Sequence, residues 1–557
     1  MFSYKKFQKA NFDKNNISMK RIYLLLAALA LFVISADAQR NKRSILYDLI
    51  IQKHQKATVF TKLQLFKETE NISALKNQIN GVVSRASNLA VDKDVARSAF
   101  EKRPEAITLP IPYLNQHTYT LELAKELINT GAFSFGTIEN NHTRTKVSTD
   151  QGLHYRGYVN GDSTSLACIS MFANGDVMGL FANTEGNFII GKVGNTDTNY
   201  IVYNTKDLLV SRGFRCAASE TYPPGIKEIS GNKTFPLTQD IPPVLCQKLK
   251  LYWEGDYQLY SYNFASNLTN TKNYLTGLFN MVATMYQNEG ITVELSESYV
   301  WTTADSYRNT SSSAGLTDFQ SRWNAMGDSY NGDLAHLVAG GTTNNGGVAY
   351  LLPAICGDRD YTYGYSNVWG EYNTVPVFSW DVEVLTHETG HNLGSNHTHW
   401  CGWNTGPGST CGAIDNCYTL ETGGGCNTCP VITDTAALPQ DWQGTVMSYC
   451  HLTNSIGINL ANGFGPLPQA VIRNTVSTSS CIHLGVSWTG AVDSTWENPG
   501  NWSCGSIPGA DTEVILNSGL VNYPVINSDA VCRSLTQQPG ANVKVNTGYS
   551  LTITGSP

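Results

Sequence analysis

Basic residues are scarce in the later part of this 557-residue sequence. From Cys246 onward it holds nine lysines and arginines against 24 aspartates and glutamates. So acidic a stretch argues against nucleic acid as a ligand, because a phosphate backbone would be repelled rather than steered. The residues before Cys246 hold 29 basic against 21 acidic side chains, and a basic front facing an acidic back suggests an intramolecular partner. Charged residues are only 15% of the chain against 41% hydrophobic, a balance that describes a folded protein with several domains. Long apolar runs are also missing. The run 22–34 has thirteen residues, too few to cross a bilayer as a helix, and no later segment is longer and equally apolar. That run follows Lys20-Arg21 and ends at Ala36-Asp37-Ala38, which is the layout of a secretory signal peptide cleaved after Ala38, with Met19 a better start than Met1. Export places the 13 cysteines in an oxidising compartment.

Against these shortages stands one dense stretch, His387-Glu388-Thr389-Gly390-His391-Asn392-Leu393-Gly394-Ser395-Asn396-His397. Two histidines four apart share a helix face, so their imidazoles can converge on one metal ion. Glu388 sits where a base can reach a water held by that ion. Gly394 lets the chain leave the helix through a conformation that a side chain resists, and His397 then returns as a third ligand. Three protein ligands leave one zinc position open for water, the mark of a catalytic site. A bare H-E-x-x-H pair is weak evidence; the extension to Gly394 and His397 makes coincidence remote. Downstream, Gly444-Thr445-Val446-Met447-Ser448-Tyr449-Cys450 has the form of a methionine-containing turn. Read alone, Met447 is an ordinary core methionine; after the zinc motif, the turn is the better account.

Along the chain, residues 39–100 are charged and helix-prone. Residues 110–206 alternate in short strands with Gly-Asn and Gly-Asp turns. Residues 217–245, rich in Pro, Gly, Lys and Thr, read as an exposed linker open to activating cleavage, with Lys227 and Lys233 as sites. A strand is expected over 248–260, then a helix over 271–287 with Leu275, Leu278, Met281, Val282 and Met285 as core. Residues 291–295 predict a strand, and Leu316, Phe319 and Trp323 mark a second helix. Residues 333–338 and 346–350 predict further strands, the first carrying His336 as an ordinary strand histidine. The metal helix is expected over 377–393 and a last helix over 468–475. Beyond Val486 the tryptophans and short apolar runs predict a small all-β module, and the chain stops in mid-pattern, as a fragment would.

These motifs, with His154-Tyr155-Arg156-Gly157-Tyr158-Val159-Asn160-Gly161 and Ser165–Ser170 as a propeptide-like segment, resemble the reprolysin (adamalysin) metzincins over roughly 110–481. The resemblance implies an α+β catalytic domain, a twisted five-stranded mixed sheet with a zinc helix and a Met-turn subdomain. A β-rich prodomain would precede it and the all-β module follow. The implied division is 1–38 signal peptide, 39–245 prodomain including the linker, 246–485 catalytic domain and 486–557 C-terminal module. It also implies zinc on His387, His391 and His397, Glu388 as base, and Gly394 and Met447 as structural residues. The edge strand Gly347, Val348, Ala349 and Tyr350 would pair with an extended protein substrate through its main chain. Tyr449 departs from adamalysins and matches astacins, serralysins and pappalysins, where it approaches the zinc; that makes it a candidate oxyanion donor. Glu254, Asp333 and the chain near Cys481 sit where adamalysins bind calcium, although Leu484 replaces the family's amide ligand.

The resemblance further implies a Cys356–Cys481 disulfide. Cys401, Cys411, Cys417, Cys426, Cys429 and Cys450 can make three bridges in fifteen ways. Cys504 and Cys532 can staple the C-terminal module. Of Cys168, Cys216 and Cys246 at least one stays unpaired, and Cys216, beside Arg215 at the end of the prodomain, is placed to hold the zinc in a latent precursor. The reading is a secreted zinc endopeptidase kept latent by its own prodomain. The alternatives are a pappalysin-like metzincin and a surface adhesin with an ancillary peptidase domain.

Overall fold

The helical stripe Leu275, Leu278, Met281, Val282 and Met285 lies on the helix Leu268–Asn288 in the computed structural model of this protein, and Asn273, Thr276, Asn280 and Thr284 on the same helix are buried too. A helix enclosed all round needs packing on opposite sides. Two sheets supply it. The structure describes residues 43–555 apart from 70–75, 116, 132, 141, 195–197, 211–243, 328, 344, 353–354, 357–358, 371–374, 406–410, 424–425, 427, 440–441 and 454–455. The signal-peptide reading, the linker with Lys227 and Lys233, and Cys216 lie outside the described residues.

The first sheet has seven strands in the order Gly347–Ala349, Tyr363–Asn367, Leu334–Ala339, Lys248–Gly255, Thr292–Trp301, Ser134–Ile138 and Arg144–Ser148. Five come from residues 248–367, the number expected; the other two are lent by the front of the chain. Thr292–Trp301 pairs in parallel with Ser134–Ile138, which pairs antiparallel with Arg144–Ser148. At the opposite edge Gly347–Ala349 runs antiparallel to Tyr363–Asn367. The strand just before the metal helix is thus Tyr363–Asn367, inside the sheet. Its sequence, Tyr-Gly-Tyr-Ser-Asn, carries no aliphatic residue and so gave no strand signal, yet all five residues are buried. On the sheet's second face the helix Ser312–Ala325 packs Leu316, Phe319 and Trp323 against Tyr252, Tyr363 and Tyr365.

The second sheet has ten strands, all from residues 60–204. Strand side chains alternate between faces. In Leu166–Met171, Leu166 and Cys168 join the core around helix Leu268–Asn288, while Ala167, Ile169 and Met171 join a second core behind the sheet. The region 39–100, expected to be helical, holds helices Ile45–Gln55, Lys76–Val82 and Lys93–Lys102 but also the strands Phe60–Lys62, Phe66–Glu68 and Ser87–Val91.

Past Leu484 the pairing turns parallel: Glu513 lies beside Ser534, Val525 beside Lys544 and Ala530 beside Leu551, so each strand meets one about twenty residues on. This is a coil of stacked turns around Trp488, Trp496 and Trp502. Among the described residues five disulfides are formed: Cys246–Cys504, Cys356–Cys481, Cys401–Cys429, Cys411–Cys426 and Cys417–Cys450. Cys504 therefore does not staple the module to itself. It ties the module to the start of the catalytic region, and Cys532 points into the module's core as a buried thiol, as Cys168 does in the front sheet. Among the described residues no helix is long and apolar enough to cross a membrane.

Candidate metal centre

The helix Ser379–Asn392 is locked before it carries any chemistry. Its buried Asp381 accepts from the backbone N–H of Trp369 at 2.7 Å and from the Tyr274 hydroxyl at 2.5 Å. At the other end Asn392 Nδ2 donates to the carbonyls of Tyr350 and Tyr363, at 2.9 and 3.1 Å. The helix is thereby pinned to the sheet edge. Gly394 follows with φ +86°, a conformation costly for any side chain, and a Cβ there would sit 2.9 Å from the Leu352 carbonyl. The turn it permits delivers His397 back towards His387 and His391.

All three imidazoles point their Nε2 atoms inward. His391 Nε2 is 3.1 Å from His387 Nε2 and 3.0 Å from His397 Nε2. Each Nδ1 faces outward onto an acceptor: His387 onto the Val446 carbonyl at 2.7 Å, His391 onto the Ser395 carbonyl at 2.7 Å, and His397 onto Glu421 at 3.0 Å. With protons committed to every Nδ1, three Nε2 lone pairs converge on one point, an arrangement that repels itself without a cation between them. Burial acts in the same direction. It pushes the His391 pKa down to about 3, lowers His387 well below the ordinary imidazole value, and lowers His397 as well. The residues fit a metal ion, and a three-nitrogen set with one face open fits zinc.

Glu388 is fully buried behind the edge strand: a Cβ on Gly347 would meet its Oε1 at 2.3 Å. It lines a small cleft with Trp380, Glu383, Val384, His387, Tyr449 and His451. Glu383 and His451 pair across it at 3.1 Å. The Tyr449 ring lies 4.6 Å from that of His397 and 6.1 Å from that of His387. Met447 sits under the helix, its Sδ 2.8 Å from where a Cβ on Gly390 would be. Gly347, Val348 and Ala349 form the expected edge strand, while Tyr350 lies one residue past it with its hydroxyl on Gln320 at 2.7 Å.

Two contributions escaped sequence reasoning. The sequence marks Val446 only as a member of the turn, yet its carbonyl orients His387. Glu421 is the one glutamate in the Gly- and Cys-rich loop 401–450. It accepts from His397 Nδ1 and, at 3.1 Å, from His399 Nε2. Burial alone would raise its pKa; the hydrogen bonds from His397 and His399 outweigh that and hold it well below the usual carboxylate range. The three disulfides within 401–450 are what bring this acid to the histidines, with the Cys401 N–H donating to the Glu421 carbonyl at 2.8 Å.

Glu254 and Asp333 do not meet. Strand register sets Glu254 beside Leu337, whereas Asp333 caps the far end of the strand, accepting from the Lys250 N–H at 2.7 Å. Glu254 is fully buried and its oxygens are taken by Arg322 at 2.9 Å, Trp301 Nε1 at 2.7 Å and the hydroxyls of Tyr252 and Tyr307 at 2.9 and 2.5 Å. An organic cation thus fills the place expected for calcium. His336 is an ordinary strand histidine, hydrogen-bonded to Ser366 Oγ at 2.8 Å.

Residues 248–450 match the family model described as Metallo-peptidase family M12, and residues 487–556 match one described as a domain of unknown function (DUF8693). A search of curated proteins finds no match. Among solved structures, metalloproteinase-II from Bacteroides fragilis aligns at 12% identity and a TM-score of 0.26, over 52% of this chain and 81% of that one. A structure titled as a chaperone-substrate complex aligns at 13% identity and a TM-score of 0.24, over 42% of this chain and 35% of that one. Over 248–450 this mixed α and β chain resembles a metzincin-like zinc metallopeptidase.

Proposed function

We propose that the chain is a secreted zinc endopeptidase that hydrolyses peptide bonds of proteins and is made as a latent precursor. The convergence of three Nδ1-anchored imidazoles beside the buried Glu388 carries this reading. His387, His391 and His397 would hold the metal. Zinc lowers the pKa of water to about 7 and polarises a carbonyl. Glu388 takes the proton of the attacking water at a carboxylate oxygen and delivers it to the departing amine nitrogen. The Tyr449 hydroxyl donates to the oxygen on which charge develops. Gly347, Val348 and Ala349 offer main-chain groups to an extended substrate, which explains how varied side chains are accepted. Gly394 turns the third ligand in, and Met447 floors the site.

In this reading residues 1–38 are the signal peptide, 39–245 the prodomain with its linker, 246–485 the catalytic domain and 486–557 an appended module. Five disulfides suit an exported protein. Latency rests on Cys216. Cys246 is paired with Cys504, and Cys168 and Cys532 are buried, so the likeness to a thiol switch gains support from the other cysteines' places.

The test is proteolysis of a denatured protein by wild type and Glu388→Ala. The variant should keep its zinc and lose roughly 10²–10⁴-fold in rate. 1,10-Phenanthroline should abolish wild-type activity and added zinc restore it. Near wild-type turnover by Glu388→Ala, or inhibition by a serine-directed reagent alone, would refute the assignment.

A further inference from the structure

Prodomains are ordinarily pictured as removable covers. The front of this chain is built into the structure instead. One face of its ten-stranded sheet presents Leu166, Cys168, Met178, Leu180, Ile189 and Tyr203 to the core formed with helix Leu268–Asn288. The fit is close enough that a Cβ on Gly277 of that helix would lie 2.8 Å from Met178 Sδ. Buried polar groups of the helix find their partners in the front sheet: Asn280 accepts from Arg156 Nε at 2.8 Å and donates to Ser170 Oγ at 3.2 Å. Undocking would strand those groups and bare an apolar face on each half. The strand Ser134–Ile138 adds a ladder of main-chain hydrogen bonds to Thr292–Trp301.

The same domain braces both segments that shape the metal centre. Ahead of the metal helix, the Tyr203 hydroxyl donates to the Pro376 carbonyl at 2.6 Å. After the methionine turn, Asn187 Nδ2 donates to the Ile458 carbonyl at 2.8 Å and Asn187 Oδ1 accepts from the Leu460 N–H at 2.8 Å. Asn459 Nδ2 returns a bond to the Asn183 carbonyl at 2.8 Å. The cleft beside Glu388 is lined, among the described residues, by Trp380, Glu383, Val384, His387, Glu388, Tyr449 and His451, none of them from the front domain.

We propose that the front domain, residues 43–210, is a lasting half of the working peptidase: cutting within 211–243 activates the enzyme, and the front domain stays docked and remains needed. The proposal rests on the peptidase reading and on 211–243 as the activation linker. Its partner surface is the face of helix Leu268–Asn288 with the strand Thr292–Trp301, on which Ser134–Ile138 is paired.

The experiment uses the full chain with a site for a specific protease inserted between Lys227 and Lys233 and an affinity tag on the front half. After folding, the linker is cut, and the sample is run on size exclusion under native conditions and assayed on a denatured protein. Both halves should co-elute at the uncut mass, the tag should retain both, and proteolysis should reside in that complex. Leu180→Asp, which puts a charge into the shared core, should lower the urea concentration at which the cut halves part, with activity falling as they do. Separation of the wild-type halves in native buffer overturns the proposal. So does proteolysis that appears only after the front half is stripped away. If no fraction cleaves protein while the halves still co-elute, the peptidase reading has failed and not the docking.

Discussion

Gly347 and Glu388 touch so closely that no side chain fits between them: a Cβ on Gly347 would stand 2.3 Å from Glu388 Oε1. The edge strand thus acts as a wall against the Glu388 carboxylate, besides the pairing with substrate proposed for it. Gly347→Ala must push either the strand or the carboxylate aside. A misplacement of about 1 Å costs on the order of 10²-fold in rate. Gly347→Ala should therefore lose about that much kcat while binding zinc stoichiometrically, because no ligand moves. Metal analysis beside steady-state kinetics checks it; lost zinc would mean the glycine supports the helix instead.

Glu421 should tune metal affinity rather than the proton-transfer step. Removing an outer carboxylate from a ligand histidine typically costs 10–100-fold in metal affinity. Glu421→Ala is expected to weaken zinc binding by that factor in competition with a chelator, and to shift the visible spectrum of the cobalt-substituted protein. Glu421→Gln should recover part of the loss, since its one carbonyl oxygen can accept from His397 while its amide is unfit to accept from His399. Equal affinity in all three proteins would show that Glu421 only packs the loop.

What was legible in the sequence was local. His387, His391 and His397 declare themselves because helix pitch and one glycine turn bring the three imidazoles together within a few residues, and the helix that carries the first two lies within the expected span. The strands 166–171 and 177–183 are expected only as alternating strands, whereas every residue of both is buried. Long-range facts were silent. Nothing near Glu421 announces His397, and nothing in Cys246 announces Cys504. The calcium expectation came from resemblance alone. It gave way to Arg322, a residue on another helix whose guanidinium reaches Glu254 only in the folded chain.

Asp333 offers a pH test of that correction. Burial raises its pKa to about 6, above the value near 3.9 of an unfolded aspartate. Below about pH 4 both states are protonated and the group contributes nothing. Between about pH 4 and pH 6 the unfolded chain has released its proton while the folded chain keeps it, so stability falls across that window, by on the order of 3 kcal/mol. Asp333→Asn keeps an oxygen for the Lys250 N–H and carries no charge. Urea melts at pH 4, 5, 6 and 7.5 should show the variant flatter than wild type and more stable at pH 7.5. A variant destabilised at pH 7.5, with wild type stabilised by added calcium, would restore the ion-site reading.

In the proposed reading latency turns on Cys216, and the disulfides narrow its options. Ten cysteines are paired with one another, Cys246 among them, and Cys168 and Cys532 are thiols enclosed in separate cores. A partner for Cys216 would have to be dug out of one of those cores. Zinc, with thiolate among its strongest ligands, is the better mate. Cys216→Ser in the uncut chain should then be active without linker cleavage, while the uncut wild type stays silent until cut. Alkylation of the uncut wild type under native conditions should spare Cys216 as long as zinc is bound and label it once a chelator is added. A disulfide at Cys216 in the intact precursor, found by mass spectrometry, would end this account.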